Sequence, residues 1–310
     1  MGRNIRMFQD ILIPLDGSSR AEKVLPVAAR IAQVTDGTIS LLQAVWPPSV
    51  YMASVGEVVL PDILDETIPA AKIYLEMVAQ NSSLENIRTE TQVVIGHPAE
   101  AIMKAAKADN TDLVIICSHG YTGEMLWSMG SIAGKVARHV SSPIFILYEH
   151  SALLAELANA SVRPLRVLVP LDGSQHAEAV IPKAAMLAVV LAASSHGELH
   201  LTRVVSSRGK EKSRLDEELG RTAHYLRAVV ENIRKHGLSD MEALPDLSLT
   251  WSITKAEDAA SGIIQAAENG GGCQVIAMTA HGQGGHQLWS LGNTTERVLQ
   301  AARKPLFIVH

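Results

Sequence analysis

The sequence predicts an α/β protein made of two tandem units, each a doubly wound sheet of five parallel strands. The first observation behind this is a long internal repeat. Ile13-Pro14-Leu15-Asp16-Gly17-Ser18 returns as Val169-Pro170-Leu171-Asp172-Gly173-Ser174, an offset of 156 residues. His119-Gly120 followed by Leu126-Trp127-Ser128-Met129-Gly130 returns as His281-Gly282 followed by Leu288-Trp289-Ser290-Leu291-Gly292, at an offset of 162 that Pro143 and Pro305 share. A constant offset within each block means one duplicated domain whose second copy gained about six residues in its middle. Solenoid and propeller repeats have far shorter periods, roughly 20–50 residues. The second observation is that each copy alternates short β-branched runs with longer stretches of helical spacing, which is the pattern of βαβ units and a parallel sheet.

In the first copy the runs Ile11–Leu15, Ile39–Leu42, Thr91–Ile95, Leu113–Ile116 and Ile144–Leu147 read as strands. Between them Ser18–Val34, Ile68–Gln80, Ala99–Ala108 and Ser131–Val140 carry helical spacing, with Ser18 and Ser131 as helix starts. In the second copy strands fall near Arg166–Leu171, Leu199–Val205, Leu247–Ile253, Val275–Met278 and Leu306–Val309. Its helices fall near Ser174–Ala193, Glu211–His236, Asp258–Ala267 and Thr294–Ala302. The domain boundaries that follow are 1–148 and 165–310, joined by 149–164, a segment whose Ala152-Leu153-Leu154-Ala155-Glu156-Leu157 reads as a short helix.

A length of 310 residues gives two units of about 150, each large enough to bury its own core. With 47% hydrophobic and 19% charged residues the composition is that of a soluble globular protein. A net charge of −5 provides no general attraction to nucleic acid or an anionic membrane. The longest uncharged apolar run, Ala184–Ala193, is far short of the roughly 18 residues of a membrane span. The first ten residues carry Arg3 and Arg6 but no apolar signal core, so a cytoplasmic location is the expectation. Cys117 and Cys273 occupy non-equivalent places in the two copies, which favours thiols in a reducing compartment over a disulfide.

Two motifs stand at strand ends in both copies: the Asp-Gly-Ser after strand one and a Gly-containing loop after strand four. Ligands of an open doubly wound sheet bind beyond the carboxyl ends of the strands, where the winding reverses. If strands one and four are neighbours, as in a flavodoxin-like or Rossmann-like order, the two motifs face each other; periodicity alone leaves this order open. The loop Ser118-His119-Gly120-Tyr121-Thr122-Gly123 leads into Gly130-Ser131 at a helix start. Glycines allow close backbone approach, and a helix N-terminus offers unpaired N–H groups and a dipole that suits phosphate. Such a loop also serves ordinary turns and caps.

Taken with the terminal Ser-Pro-Ile-Phe-Ile-Leu strand and the tandem layout, the pattern resembles the universal stress protein family in its two-domain form. The family's nucleotide motif reads Gly-x2-Gly-x9-Gly-Ser/Thr. Gly120, nine residues and Gly130-Ser131 match its second part, while Cys117 stands where the first glycine belongs. In the second copy Gly282, nine residues and Gly292 match, with Thr279 at the first glycine and Asn293 in place of Ser/Thr. The resemblance spans nearly the whole chain.

The resemblance implies an adenine-nucleotide site, for ATP or AMP, with Mg accompanying the phosphates of ATP. By position, Asp16 and Asp172 are similar to the acid that meets the adenosine, with Pro14 and Pro170 at the same strand ends. Ala44 and Val204 are similar to the second-strand residue whose backbone recognises adenine. Gly120, Gly130, Ser131 and Ile132 are similar to the phosphate wrap, matched by Gly282, Gly292, Asn293 and Thr294. The Cβ atoms of Cys117 and Thr279 crowd the motif in both copies; the first copy keeps Gly130-Ser131 and Gly96-His97-Pro98, whereas the second has Asn293, Thr254-Lys255-Ala256 and a Gly270-Gly271-Gly272 insertion, so the first copy is expected to be the better ATP site. The resemblance also implies an intramolecular pseudo-dimer of the two copies packed through Ile144–Leu147 and Leu306–Val309, and raises a homodimer as a further assembly.

Bland roles compete for several of these residues. Asp16 and Asp172 can cap the next helix or brace an Asp-Gly turn. His119 and His281 suit a loop brace, and Trp127 and Trp289 suit packing over the loop. His196, His200, His224 and His236 lack metal-ligand spacing, so no metal site is assigned.

Three functions stand side by side. The first is a cytoplasmic stress-response protein that binds adenine nucleotide in the strand-one/strand-four crevice without catalysis. The second is an interaction or structural stress protein with degenerate sites. The third is a weak ATPase, against which the sequence has no Gly-x4-Gly-Lys-Ser/Thr, no Ser-Gly-Gly pyrophosphatase loop and no His-x-Gly-His. Glu124, the acid of the first loop, has His286 as its counterpart, and a general base is not expected to vanish from one of two working sites.

Overall fold

The computed structural model describes residues 7–46, 60–118, 129–158, 164–192, 196–209, 211–238, 247–269, 272–282 and 291–310. They form two compact units, one spanning Phe8–Glu149 and the other containing His150–His310.

In the first unit β1 (Asp10–Leu15), β2 (Thr38–Val45), β3 (Arg88–Ile95), β4 (Leu113–Cys117) and β5 (Ile144–Leu147) lie in the order β3-β2-β1-β4-β5. Every pairing is parallel. The connecting helices are α1 (Leu25–Thr35), α2 (Leu60–Ala79), α3 (Pro98–Ala108) and α4 (Ser131–His139). The apolar side chains of β1 and β4 are buried, as expected of strands covered on both faces, whereas β3 at the sheet margin has only exposed and half-buried positions. Asp112 ties the start of β1 to β4, its two carboxylate oxygens accepting from the amides of Gln9 at 2.9 Å and Asp10 at 3.2 Å.

The second unit repeats this plan. A helix, α5 (Ala152–Ala158), precedes β6 (Leu165–Pro170), and the strands β7 (Gly197–Ser206), β8 (Leu247–Ala256), β9 (Val275–Thr279) and β10 (Leu306–Val309) complete the parallel order β8-β7-β6-β9-β10. Its other helices are α6 (Gln175–Glu178), α7 (Ile181–Leu191), α8 (Lys212–His236), α9 (Ala259–Glu268) and α10 (Asn293–Ala301). Leu153 of α5 is fully buried, and Glu156 accepts from Gln274 Nε2 at 3.3 Å, so the joining segment packs on this unit. The apolar run Ala184–Ala193 lies largely in α7, most of whose residues are core. Among the described residues no helix is long and apolar enough to cross a membrane, and no disulfide joins Cys117 and Cys273.

The structure corrects the sequence reading at several helix starts. The single helix expected over Ser18–Val34 is a 3₁₀ turn, Ala21–Val24, followed by α1. That expected over Ser174–Ala193 divides into α6 and α7. Proline explains both breaks: Pro26 and Pro182 have no amide to donate back four residues, but fit the first turn of a new helix. α2 begins eight residues before Ile68 and runs through Pro69, which sits on the exposed side where the unpaired carbonyl can meet water. Ser131 does not cap α4. Gly130 holds the cap position and Ser131 is the first helical residue.

The copies solve one packing problem differently. A Cβ on Gly262 of α9 would stand 2.5 Å from Val204 Cγ1 and 3.0 Å from the Ala256 Cβ. At the equivalent places the first copy pairs a smaller strand residue, Ala44, with a larger helix residue, Ala101. Gly262→Ala is therefore expected to destabilise by about 1–3 kcal/mol despite its better helix propensity, and Val204→Ala to rescue it. Urea unfolding of the single and double variants checks this; an additive double variant would refute the coupling.

Candidate functional site

Each Asp-Gly-Ser forms the same turn. Asp172 Oδ1 accepts from Ser174 N at 2.9 Å and from Ser174 Oγ at 2.6 Å, and Ser174 Oγ accepts from Ala177 N at 3.1 Å to cap α6. Asp16 Oδ1 accepts from Ser18 N at 3.0 Å and Ser18 Oγ at 2.6 Å, and Ser18 Oγ from Ala21 N at 3.2 Å. Between them Gly17 and Gly173 take φ of +85° and +90°, which a side chain would resist. One carboxylate oxygen of each aspartate is thus committed to bracing the turn, as the bland reading expected. The other oxygen of Asp172 faces strand four's loop: a Cβ placed on Gly282 would collide with Asp172 Oδ2.

That approach follows from topology, because β6 pairs with β9 as β1 pairs with β4. The described residues that end β4 and β9 meet those that open the next helices. Gly130 N donates to Ser118 O and Gly292 N to Ala280 O, both at 2.8 Å. Gly130 and Gly292 then open α4 and α10, and neither helix has a side-chain cap. Among the described residues no side chain caps the first-turn N–H groups of either helix. Thr295 donates its hydroxyl to Thr279 O at 3.0 Å, and Thr279 its own to His281 O at 2.7 Å, which fixes α10 against the end of β9.

These elements enclose a cavity of about 480 Å³ in the second unit. Pro170, Asp172, Val204, Thr279, Gly282, Gly292, Asn293 and Thr294 all line it, so every second-copy candidate from the sequence meets in one place. In the first unit Pro14 and Asp16 stand at the end of β1, Ala44 in β2, Cys117 at the end of β4, and Gly130, Ser131 and Ile132 at the start of α4. Gly120, like His119, Trp127 and Trp289, lies outside the described residues. Sequence reasoning missed Arg203, which lines the cavity one residue before Val204. Its signal was a charged residue directly before the Val204-Val205 end of the strand run. Its guanidinium lies over the ring of Tyr225, 5.2 Å from the centroid, and Tyr225 donates to Glu178 Oε1 at 2.7 Å. Burial and then the Glu178 carboxylate push the Tyr225 phenol well above its usual pKa.

The model of the universal stress protein family matches residues 7–147 and again 165–310. The chain belongs to that family. A universal stress protein of Mycolicibacterium smegmatis is 23% identical over 311 residues, covering 96% of each chain. A universal stress protein of Bacillus subtilis is 25% identical over 147 residues, which is 99% of its length and 46% of this chain. Among solved structures, a universal stress protein of Archaeoglobus fulgidus superposes with a TM-score of 0.69 at 22% identity over 97% of this chain and 98% of its own. At that identity the structural likeness speaks for the tandem stress-protein fold alone.

Proposed function

We propose that this universal stress protein is a stress-response module that binds adenine nucleotide, ATP or AMP, in the crevices at its strand ends. The supporting observation is the cavity of about 480 Å³ lined by all eight second-copy motif positions, a volume within the range of small-molecule sites. The residues present suit the guest. The uncapped start of α10 offers amides to phosphate, Asp172 Oδ2 offers an acceptor to a ribose hydroxyl, and Val204 and Pro170 offer a strand end to the base. Pro14, Asp16, Ala44, Cys117, Gly120, Gly130, Ser131 and Ile132 are the corresponding proposal for the first crevice, with Mg accompanying ATP phosphates. The reading is of a holder of nucleotide: Asp172 is the one acid among the described lining residues, and its Oδ1 is engaged by Ser174.

The test is calorimetric titration of ATP and AMP into wild type, Asp16→Ala, Asp172→Ala and the double variant, with phosphate release followed under saturating ATP. Binding that the double variant loses is the expected result. Undiminished binding in the double variant, or none in wild type, would refute the site, and steady phosphate release would refute the non-catalytic reading.

A further inference from the structure

The two crevices share a plan but differ at the residue just before the proposed adenine contact, which is Gln43 in β2 and Arg203 in β7. Both side chains reach over the glycine that follows the turn aspartate. Gln43 Nε2 is 3.7 Å from where a Gly17 Cβ would stand, and Arg203 Nη1 is 3.0 Å from where a Gly173 Cβ would stand. Both also carry polar atoms that the fold leaves unused. Gln43 Oε1 is buried with no hydrogen-bond partner. Arg203 stacks on Tyr225 and, among the described residues, meets no hydrogen-bond acceptor.

A buried unused acceptor such as Gln43 Oε1 is costly unless a guest completes it, and the donors of Arg203 stand in the wall of a cavity that a guest can enter. Finding one at the same position in both copies marks that position as a place of ligand contact. The two side chains ask for different chemistry. A glutamine amide accepts and donates without charge, whereas a guanidinium only donates, in a planar fork that matches phosphate, carboxylate or a two-acceptor base edge. Tyr225, itself held by Glu178, packs beside the guanidinium with its ring centroid 5.2 Å from Cζ, while Arg203 lines the cavity. One oxygen of each nearby acid is engaged elsewhere, Asp172 Oδ1 by Ser174 and Glu178 Oε1 by Tyr225.

We infer that Gln43 and Arg203 are specificity residues that give the two crevices different guests, the second selecting a ligand that brings an anion or a two-acceptor edge to the end of β7. This rests on the reading of both crevices as nucleotide sites. The acceptor has two sources, an extra phosphate on the ribose or the edge of the base, and three probes separate them. ATP has neither addition, adenosine 3′,5′-bisphosphate carries a second ribose phosphate, and GTP presents O6 beside N7.

With the first crevice silenced by Asp16→Ala, the second is expected to bind at least one of the two acceptor-bearing probes about tenfold more tightly than ATP, as a charge-assisted bidentate contact allows. Arg203→Gln is expected to remove that preference. Gln43→Arg, in a protein silenced by Asp172→Ala, is expected to install it in the first crevice. A gain for the bisphosphate alone assigns the contact to the ribose side, and a gain for GTP assigns it to the base. Equal affinity for all three probes, or a preference that survives Arg203→Gln, overturns selection at this position while leaving nucleotide binding standing. Failure of all three to bind either crevice overturns both readings. Circular dichroism melts of each variant distinguish lost selectivity from lost fold.

Discussion

Replacing Gly282 with alanine is expected to weaken nucleotide binding in the second domain by about 10- to 100-fold while the protein stays folded. The new Cβ would collide with Asp172 Oδ2. That carboxylate cannot simply swing away, because its other oxygen holds the amide and hydroxyl of Ser174 at 2.9 and 2.6 Å. Either Asp172 leaves the cavity and the turn loosens, or the loop after β9 withdraws and takes Gly282 with it. Both outcomes separate the two halves of the site. Asn293→Ala is the matched control. Its side chain is exposed and makes no cap, so a guest held by the α10 amides should lose less than about threefold. Titration of ATP into both variants in an Asp16→Ala background measures the contrast; equal losses would show that the phosphate end relies on side chains, against the geometry described here.

The parts of this site that were legible in the sequence are those tied to local rules. Asp-Gly-Ser after an apolar run announces a turn at a strand end, because Gly173 supplies the positive φ and Ser174 the cap. A glycine opening a helix after strand four announces α4 and α10, and the repeat doubles each signal. The juxtaposition of Asp172 with Gly282 needed the β6–β9 pairing, which periodicity does not specify. Arg203 was hidden for the same reason: its partner Tyr225 lies on a helix 22 residues further along, and no local pattern links them. The broken helices at Pro26 and Pro182 were legible in principle, since a proline amide cannot complete the preceding turn. The reach of α2 through Pro69 was not, because it depends on which side of the helix meets solvent.

His200, passed over as lacking metal-ligand spacing, is expected to make the stability of the second domain fall as the pH drops from about 6.5 to 4. It is 8% exposed, and both ring nitrogens are engaged. Nδ1 lies 2.8 Å from Arg166 Nη2 and 2.7 Å from Thr250 Oγ1, and Nε2 lies 2.8 Å from Ser252 Oγ. Because a guanidinium can only donate, Nδ1 must be the acceptor, which leaves Nε2–H to donate to Ser252. A proton added at Nδ1 would face the Arg166 cation. Burial first, and Arg166 second, push the pKa of His200 down to about 4, with the opposing pull of Glu198 too weak to restore it. Glu198 is shared, being 3.1 Å from Arg166 Nε and accepting from Thr250 at 2.5 Å, and Lys255 adds a second cation to the groove beside the ring. The unfolded chain, with an ordinary histidine pKa of about 6.5, binds the proton more readily than the fold between pH 6.5 and 4, so stability rises with pH across that window. Above it the contribution is complete, and below pH 4 it is lost, a change on the order of 3 kcal/mol. His200→Gln keeps an acceptor for Arg166 but cannot titrate, so urea midpoints measured at pH 6.5 and 5 should converge for the variant and diverge for wild type. The same acid-side loss in both proteins would assign the pH dependence to other groups, and would leave His200 as an acceptor whose proton plays no part in stability.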